Sequence, residues 1–244
     1  MIIIAVLSFS LSFFFALGGV GSAVALIPAL IAIGVPAGVA RPAALLVNVT
    51  SLGGATIHNL RKGKFRPGSW WLLILFSLPT APLGVWLSSK IPQNTLLGLF
   101  AFFMIFSGLV IILPSQKPPE KERETCPPMK GALLGTASGM ISGLLGVGGG
   151  GIIAPVLYAM RFRAQHIAMV TALAVPFSSL TGFIAYTAMG SLSMDIYIVA
   201  SVAALLGGIF GTRVMHRIDQ HKVRMVLALS LMASGVRILW KLVG

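Results

Sequence analysis

Acidic residues are nearly missing from this sequence. Five Asp and Glu stand among 244 residues. Glu120, Glu122 and Glu124 share one short polar stretch, Asp219 sits in a basic one, and Asp195 borders an apolar run. None falls mid-run, so a carboxylate proton relay, a carboxylate sodium site or a paired-carboxylate enzyme has no residues to build it. Cysteine is rarer still. Cys126 is alone, which excludes an intrachain disulfide, and its polar surroundings carry no metal or redox signature. His58, His166, His216 and His221 are scattered, and the last two are too loosely spaced to suggest a ligand pair. No metal and no cofactor is expected. Charged residues of both signs make up 9% of the chain, against about 25% in a soluble domain. That is too little to cover a surface facing water.

What fills the chain is apolar: 57% of it is hydrophobic. Residues 1–40 carry no charge, and further apolar runs cover about 69–89, 94–113, 131–160, 167–194, 196–212 and 225–236. A membrane helix needs about 20 such residues. The expected fold class is therefore an all-α polytopic membrane protein. The first basic residue is Arg41, so residues 1–17 lack the basic start of a signal peptide and are expected to be retained. A net charge of +13 would suggest nucleic acid in a soluble protein. Here no basic stripe with interleaved aromatics appears, and the lipid bilayer is the expected partner: basic loops face anionic lipid. No feature bears on oligomeric state.

The chain repeats itself. Shifted by 127 residues, Gly19-Val20-Gly21 falls on Gly146-Val147-Gly148, Pro28 on Pro155, Ser51 on Ser178, Gly84 on Gly211, and Ser107-Gly108 on Ser234-Gly235. A constant offset over this length indicates duplication. The expected organisation is a first transmembrane repeat at 1–113, a linker at 114–129 and a second repeat at 130–244. Each repeat reads as a long glycine-broken segment followed by three spans. The breaks are Gly18-Gly19-Val20-Gly21-Ser22 and Gly146-Val147-Gly148-Gly149-Gly150-Gly151. Glycine costs about 1 kcal/mol per residue in a helix interior, so each cluster predicts an unwound stretch. The broken element is either a discontinuous helix that crosses or a re-entrant hairpin.

Loop charge favours the hairpin. If each broken segment crosses, Lys and Arg divide 10 to 8 between the two sides. If each returns to its own side, they divide 14 to 4, as the positive-inside rule expects. The poor side then holds Arg41, Lys90, Arg237 and Lys241 alone. This predicts two inverted halves, a cytoplasmic linker and both termini outside.

Gly143-Leu-Leu-Gly-Val-Gly-Gly-Gly-Gly-Ile-Ile-Ala-Pro-Val-Leu157 resembles the glycine signature of the TauE/SafE family of sulfite exporters. Gly18-Gly-Val-Gly-Ser-Ala-Val-Ala-Leu-Ile-Pro-Ala-Leu30 is similar but degenerate, with Ser22 and Ala23 where glycines are usual. Arg41 to Phe65, including Asn59-Leu-Arg-Lys-Gly-Lys-Phe65, looks like that family's second helix and following loop. The resemblance covers essentially the whole chain. It implies a permease of the bacterial inner membrane for sulfite, thiosulfate, an organosulfonate or a related anion, and not an enzyme.

The residues themselves offer an anion path. A helix N-terminus presents free N–H groups and about half a positive charge, and glycine lets the backbone approach a ligand. The candidates for binding a small anionic substrate are Gly19, Gly21 and Ser22 at the first break, and Gly148, Gly149, Gly150 and Gly151 at the second. Asn48 and Ser51, with Thr171, Ser178 and Ser179, are polar residues on the helices that follow. Close helix packing is the competing account of the glycines, and hydrogen bonding to neighbouring helices that of the hydroxyls. Another small anion, such as a carboxylate, fits the same features. An intramembrane enzyme would want a nucleophile–base pair within a span, and none is found.

Overall fold

A computed structural model describes residues 1–17, 21–61, 70–112, 126–160, 162, 164–190, 192–214 and 220–243. Gly18, Gly19, Val20, most of the linker and several basic loop residues, among them Lys62, Lys64, Arg66, Arg161 and Arg163, lie outside them. The described residues form α1 (Ile2–Leu17), α2 (Ala23–Ala32), α3 (Ala37–Arg61), α4 (Trp71–Ser88), α5 (Gln93–Ile112), α6 (Pro128–Leu145), α7 (Gly150–Ala159), α8 (Ala164–Ala188), α9 (Met194–Val214) and α10 (Gln220–Val243). The order of lengths recurs. The first five helices have 16, 10, 25, 18 and 20 residues, and the last five have 18, 10, 25, 21 and 24. Among the described residues four segments are long and apolar enough to cross a membrane, in α4, α5, α8 and α9. At about 1.5 Å per residue, the ten residues of α2 and of α7 extend about 15 Å, half the hydrocarbon thickness.

Large apolar side chains point outward all round the bundle: Ile2, Trp71, Leu75, Phe102, Ile184, Ile198, Val202 and Trp240 are all exposed. Such an exterior suits lipid rather than water. Polar residues are turned inward instead, with Asn48, Ser77, Ser138, Ser142 and Ser179 fully buried.

The two sets of five helices interlock. α6 lies along α4 in the same direction, with Gly135 against Leu73, Gly139 against Ser77 and Gly143 against Ala81. α1 lies along α9 likewise, with Phe9 against Gly207 and Phe13 against Gly211. These glycines bring backbone onto backbone, the close approach that membrane helices use in place of a hydrophobic driving force. α3 and α8 run antiparallel, Leu45 meeting Gly182 and the Thr56 hydroxyl donating to the Ala172 carbonyl. That carbonyl lies four residues before Pro176, which has no N–H to offer it, so a neighbouring helix supplies the missing donor. α5 and α10 are antiparallel too, with Gly108 against Ala228 and Met232, and Gly235 against Ala101 and Ile105.

At the second break the chain turns back. Gly146 ends α6 with φ +78°, and Gly148 follows with φ +73°, both in the left-handed region that residues with a Cβ avoid. α7 then runs antiparallel to α8: Gly148 lies against Val175 and Ser179, Gly150 against Thr171 and Val175. α8 in turn runs with α4, as Ala81 near Gly182 and Ser88 near Tyr186 show, and α4 runs with α6. Since α6 and α8 point the same way, α7 between them points the other way. Of the crossing and hairpin alternatives, residues 128–159 adopt the hairpin.

Among the described residues two larger cores, beside a small cluster of Leu45, Val85 and Tyr186, flank this arrangement. One gathers Phe15, Leu26, Leu30, Met104, Tyr197 and Leu231. The other gathers Trp70, Leu73, Ile153, Leu157 and Val170, with Phe162 edge-on to Trp70 at 5.5 Å. Val147, from the second break, is buried in the first of these cores.

Candidate anion site at the glycine breaks

Asn48 stands where the two breaks meet. It is a fully buried residue in the middle of α3. Its Oδ1 accepts a hydrogen bond from the Ala23 N–H at 3.3 Å, the first residue of α2. Its Nδ2 donates to the Val147 carbonyl at 3.1 Å, between the two left-handed glycines of the second break. Gly21 and Gly148, equivalent positions under the 127-residue shift, lie on either side. A Cβ on Gly21 would stand 2.7 Å from Asn48 Oδ1, and one on Gly148 would collide with Nδ2. Both positions require glycine so that the backbone can reach the amide.

The other sequence candidates divide. Ser22 precedes α2 but does not cap it with its side chain; its hydroxyl pairs with Ser12 of α1 at 2.9 Å, both buried. Gly149 packs on Ser138 of α6, whose carbonyl oxygen lies 2.9 Å from where a Cβ would be. Gly151 faces α5, against Phe103 and the Ser107 hydroxyl. Gly150 faces the methyl of Thr171 and Val175 of α8, and Gly148 faces the Ser179 hydroxyl. Ser51 lies against Gly208 of α9. The Ser178 hydroxyl donates to the Val175 carbonyl of its own helix at 3.2 Å. So Gly21, Asn48, Gly148, Gly150, Thr171 and Ser179 come together about the breaks, whereas Ser178 bonds back to its own helix and Ser51 packs on α9 with its hydroxyl unpartnered. Gly19 lies outside the described residues.

Partners that the sequence reading did not single out are Ser12, Ser138, Val147 and Val175. Each is an ordinary residue of an apolar run. Only the constant offset held a hint: Val175 is the position equivalent to Asn48.

The electrostatics are one-sided. The only described side-chain carboxylate is Asp195, exposed in the first turn of α9. Around the breaks stand backbone N–H groups, an amide and hydroxyls. The hydroxyls of Thr171 and Ser179 are buried and have no hydrogen-bond partner, and the same holds for those of Ser8, Ser51, Ser107, Ser142 and Ser201. Buried hydroxyls without a partner are uncommon, since each forfeits the bonds it made in water. Arg41, at the start of α3, lays its aliphatic stem on Gly146, a role of packing as much as of charge.

Comparison with known proteins agrees with this outline. A probable membrane transporter protein of Xylella fastidiosa (strain 9a5c) is 26% identical over 238 residues, covering 92% of this chain and 89% of that protein. The probable membrane transporter protein YunE of Bacillus subtilis is 21% identical over 222 residues, covering 83% and 81%. A similar protein of Sinorhizobium fredii, y4hK, is 25% identical over 215 residues. The family model for the sulfite exporter TauE/SafE matches residues 4–238, and this chain, a multi-pass membrane transporter rather than an enzyme, belongs to that family.

Proposed function

We propose that this transporter carries a small sulfur-containing anion, such as sulfite, thiosulfate or an organosulfonate, and holds it where the two glycine breaks meet. The observation that carries the reading is the convergence on Asn48. Breaks 127 residues apart in sequence flank one buried side chain, among hydrogen-bond donors and with no described carboxylate beside them. A small anion in such a place is stabilised by N–H and hydroxyl groups and by helix dipoles worth about 1 kcal/mol each. That is enough to replace part of its hydration and little enough to let it go.

The two halves are inverted in this reading, with the substrate near the axis that relates them. The antiparallel pairs α3–α8 and α5–α10 support it, because each couples equivalent helices, and a two-fold axis lying in the membrane plane makes equivalent helices antiparallel. The loop charges give the orientation: both termini outside and the linker at the cytoplasmic face of the bacterial inner membrane.

The test is flux through proteoliposomes with a panel of sulfite, thiosulfate, an alkylsulfonate, sulfate and a small carboxylate, at fixed pH and potential. Saturable movement of one of the sulfur anions, with the carboxylate excluded, is expected. Preference for the carboxylate overturns the substrate class, and no movement of any anion overturns the reading.

A further inference from the structure

The two sequence repeats are not the packing units. Under the 127-residue shift α6 corresponds to α1, α7 to α2, α8 to α3, α9 to α4 and α10 to α5. α9 nevertheless packs with the first three helices. Its Gly207 and Gly211 take the backbone of Phe9 and Phe13 in α1. Its Ser201 carbonyl accepts a hydrogen bond from the Thr50 hydroxyl of α3 at 3.4 Å. α2 is held in the same group, since Asn48 of α3 binds its first N–H. α4 makes the reciprocal exchange. Its Leu73, Ser77 and Ala81 receive Gly135, Gly139 and Gly143 of α6, and its Gly84 takes the backbone of Met140. Ser88 of α4 and the Gly143 carbonyl of α6 both bond the Tyr186 hydroxyl of α8, at 3.3 and 2.8 Å. α7 joins this group through Gly149 on Ser138 and Gly150 on Val175. Two units result, α1–α2–α3–α9 and α6–α7–α8–α4, which correspond helix for helix. α5 and α10 pair with each other beside them.

Contacts inside a unit and between units differ in kind. Inside, the parallel helices set backbone on backbone, which leaves no side chain to give way. Between units the seam runs along α3 and α8 and is made by side chains. The end of Leu45 lies 3.1 Å from the Cβ position of Gly182, the Thr56 hydroxyl donates to the Ala172 carbonyl, and the Asn48 amide donates to the Val147 carbonyl. Side chains change rotamer, so such a seam permits the small sliding of packed helices that domain motions use. The chain passes from one unit to the other after α3 and after α8. The second connection contains Gly190, with φ +94° and open space where a Cβ would stand.

We infer that the bodies that move against each other in transport are these exchanged units, shifting across the α3–α8 seam, and not the two sequence repeats. The inference rests on the transport reading above. Each break belongs to one unit, so relative motion of the units opens the space around Asn48 to one side and then to the other, as alternating access requires.

Cross-linking tells the two kinds of moving body apart. Cysteine pairs are placed in a Cys126→Ala background, and flux of whichever sulfur anion the wild-type protein carries is measured in proteoliposomes. It is read before linking by a short bis-methanethiosulfonate, after linking, and after reduction. Thr50→Cys with Ser201→Cys joins α3 to α9, between the repeats but inside one unit. Thr56→Cys with Ala172→Cys joins α3 to α8, between the repeats and between the units. Each pair joins a threonine to the residue whose carbonyl it bonds, so the two links are matched. The first linked protein is expected to keep its flux within about twofold, and the second to lose about tenfold or more until it is reduced. Reversible loss in both is the behaviour of moving repeats and overturns the inference. Full flux in a completely linked Thr56–Ala172 protein overturns it too. If that pair does not insert, Leu45→Cys with Gly182→Cys takes its place. A wild-type protein that carries none of the anions overturns the transport reading, and spin-label distances, which need no substrate, then decide the inference. Labels at Leu83→Cys and Leu133→Cys, on α4 and α6, are expected to give one narrow distance. Labels at Leu133→Cys and Val202→Cys, across the units, are expected to give a broad or double one; all three positions are exposed. Equally narrow distances for both pairs overturn the moving units.

Discussion

The side-chain amide of Asn48 donates to the backbone carbonyl of Val147 across 99 residues of sequence, at 3.1 Å and out of contact with solvent. The same amide oxygen holds the first N–H of α2. One residue thus ties the start of the short helix in the first set to the break in the second. In a bilayer neither group can fall back on water, so the bond constrains how far the two breaks move apart.

Asn48→Ala is expected to lower stability by about 1–2 kcal/mol, because the Val147 carbonyl and the Ala23 N–H both lose their buried partner. The measurement is an apparent melting temperature in detergent, where about 2–4 °C per kcal/mol is anticipated. Asn48→Asp keeps the acceptor, cannot donate when ionised, and brings negative charge to the breaks. Loss of flux is expected there whether or not the melting point falls. An unchanged melting point for the alanine variant would show that the clasp contributes nothing.

Alanine at neighbouring glycines separates packing from binding. At Gly149 a Cβ meets the Ser138 backbone oxygen at 2.9 Å, and a backbone atom cannot swing away. At Gly150 it meets only the ends of Thr171 and Val175, at 3.1 and 3.3 Å. Gly149→Ala is expected to cost about 1–3 kcal/mol by overpacking, and Gly150→Ala less than about 1. Equal melting points for the two would contradict the close approach of α6 and α7.

Thr56 and Pro176 form a natural double-mutant cycle. Thr56→Val strands the Ala172 carbonyl and is expected to cost about 1–2 kcal/mol. Pro176→Ala returns an N–H within α8 to that carbonyl. In its background Thr56→Val should then cost little, and the coupling is the difference between the two costs. Additive losses would mean that the hydroxyl serves another purpose.

Cys126 is buried outside the helices, and burial pushes its thiol above the ordinary range, partly opposed by Lys130. A raised value leaves less thiolate at neutral pH than an exposed cysteine has. Alkylation by iodoacetamide in detergent is expected to be slow at pH 7, and to accelerate into the alkaline range beyond where a model thiol levels off. Fast labelling at pH 7 would refute the burial.

Much of this architecture is written in local composition. Glycine clusters at 18–22 and 146–151 mark where the helices stop, since nothing else in an apolar run interrupts one so cheaply. The apolar runs and the constant offset supply the order of the elements. The site is legible only in part, because its meaning lies in pairings. Asn48 is conspicuous as an amide in an apolar run, but that it reaches Val147 rather than a nearer carbonyl depends on how α3 packs on the second hairpin. Ser107 shows the same limit: as a residue of a late helix it reads as remote from the breaks, yet it lies beside Gly151. Ser178 shows the converse, a serine placed by its equivalence to Ser51 whose hydroxyl turns back on its own helix. Thr56 has no sequence signal, since its partner is a carbonyl released by a proline 120 residues away.

The interlocking of α1 with α9 bears on how the protein is made. Phe9 leaves the ribosome 198 residues before Gly207, its eventual contact. At about 5–20 residues per second, that is a wait of about 10–40 s. Until then α1 lies in the bilayer with Ser8 and Ser12, both buried in the finished protein, facing lipid or the insertion machinery. The first five helices, made alone, would keep that exposed flank, and so would the last five along α6. Separately expressed fragments should therefore be stable only when both are present, and a nascent chain stalled before residue 207 should be a preferred target for membrane proteases.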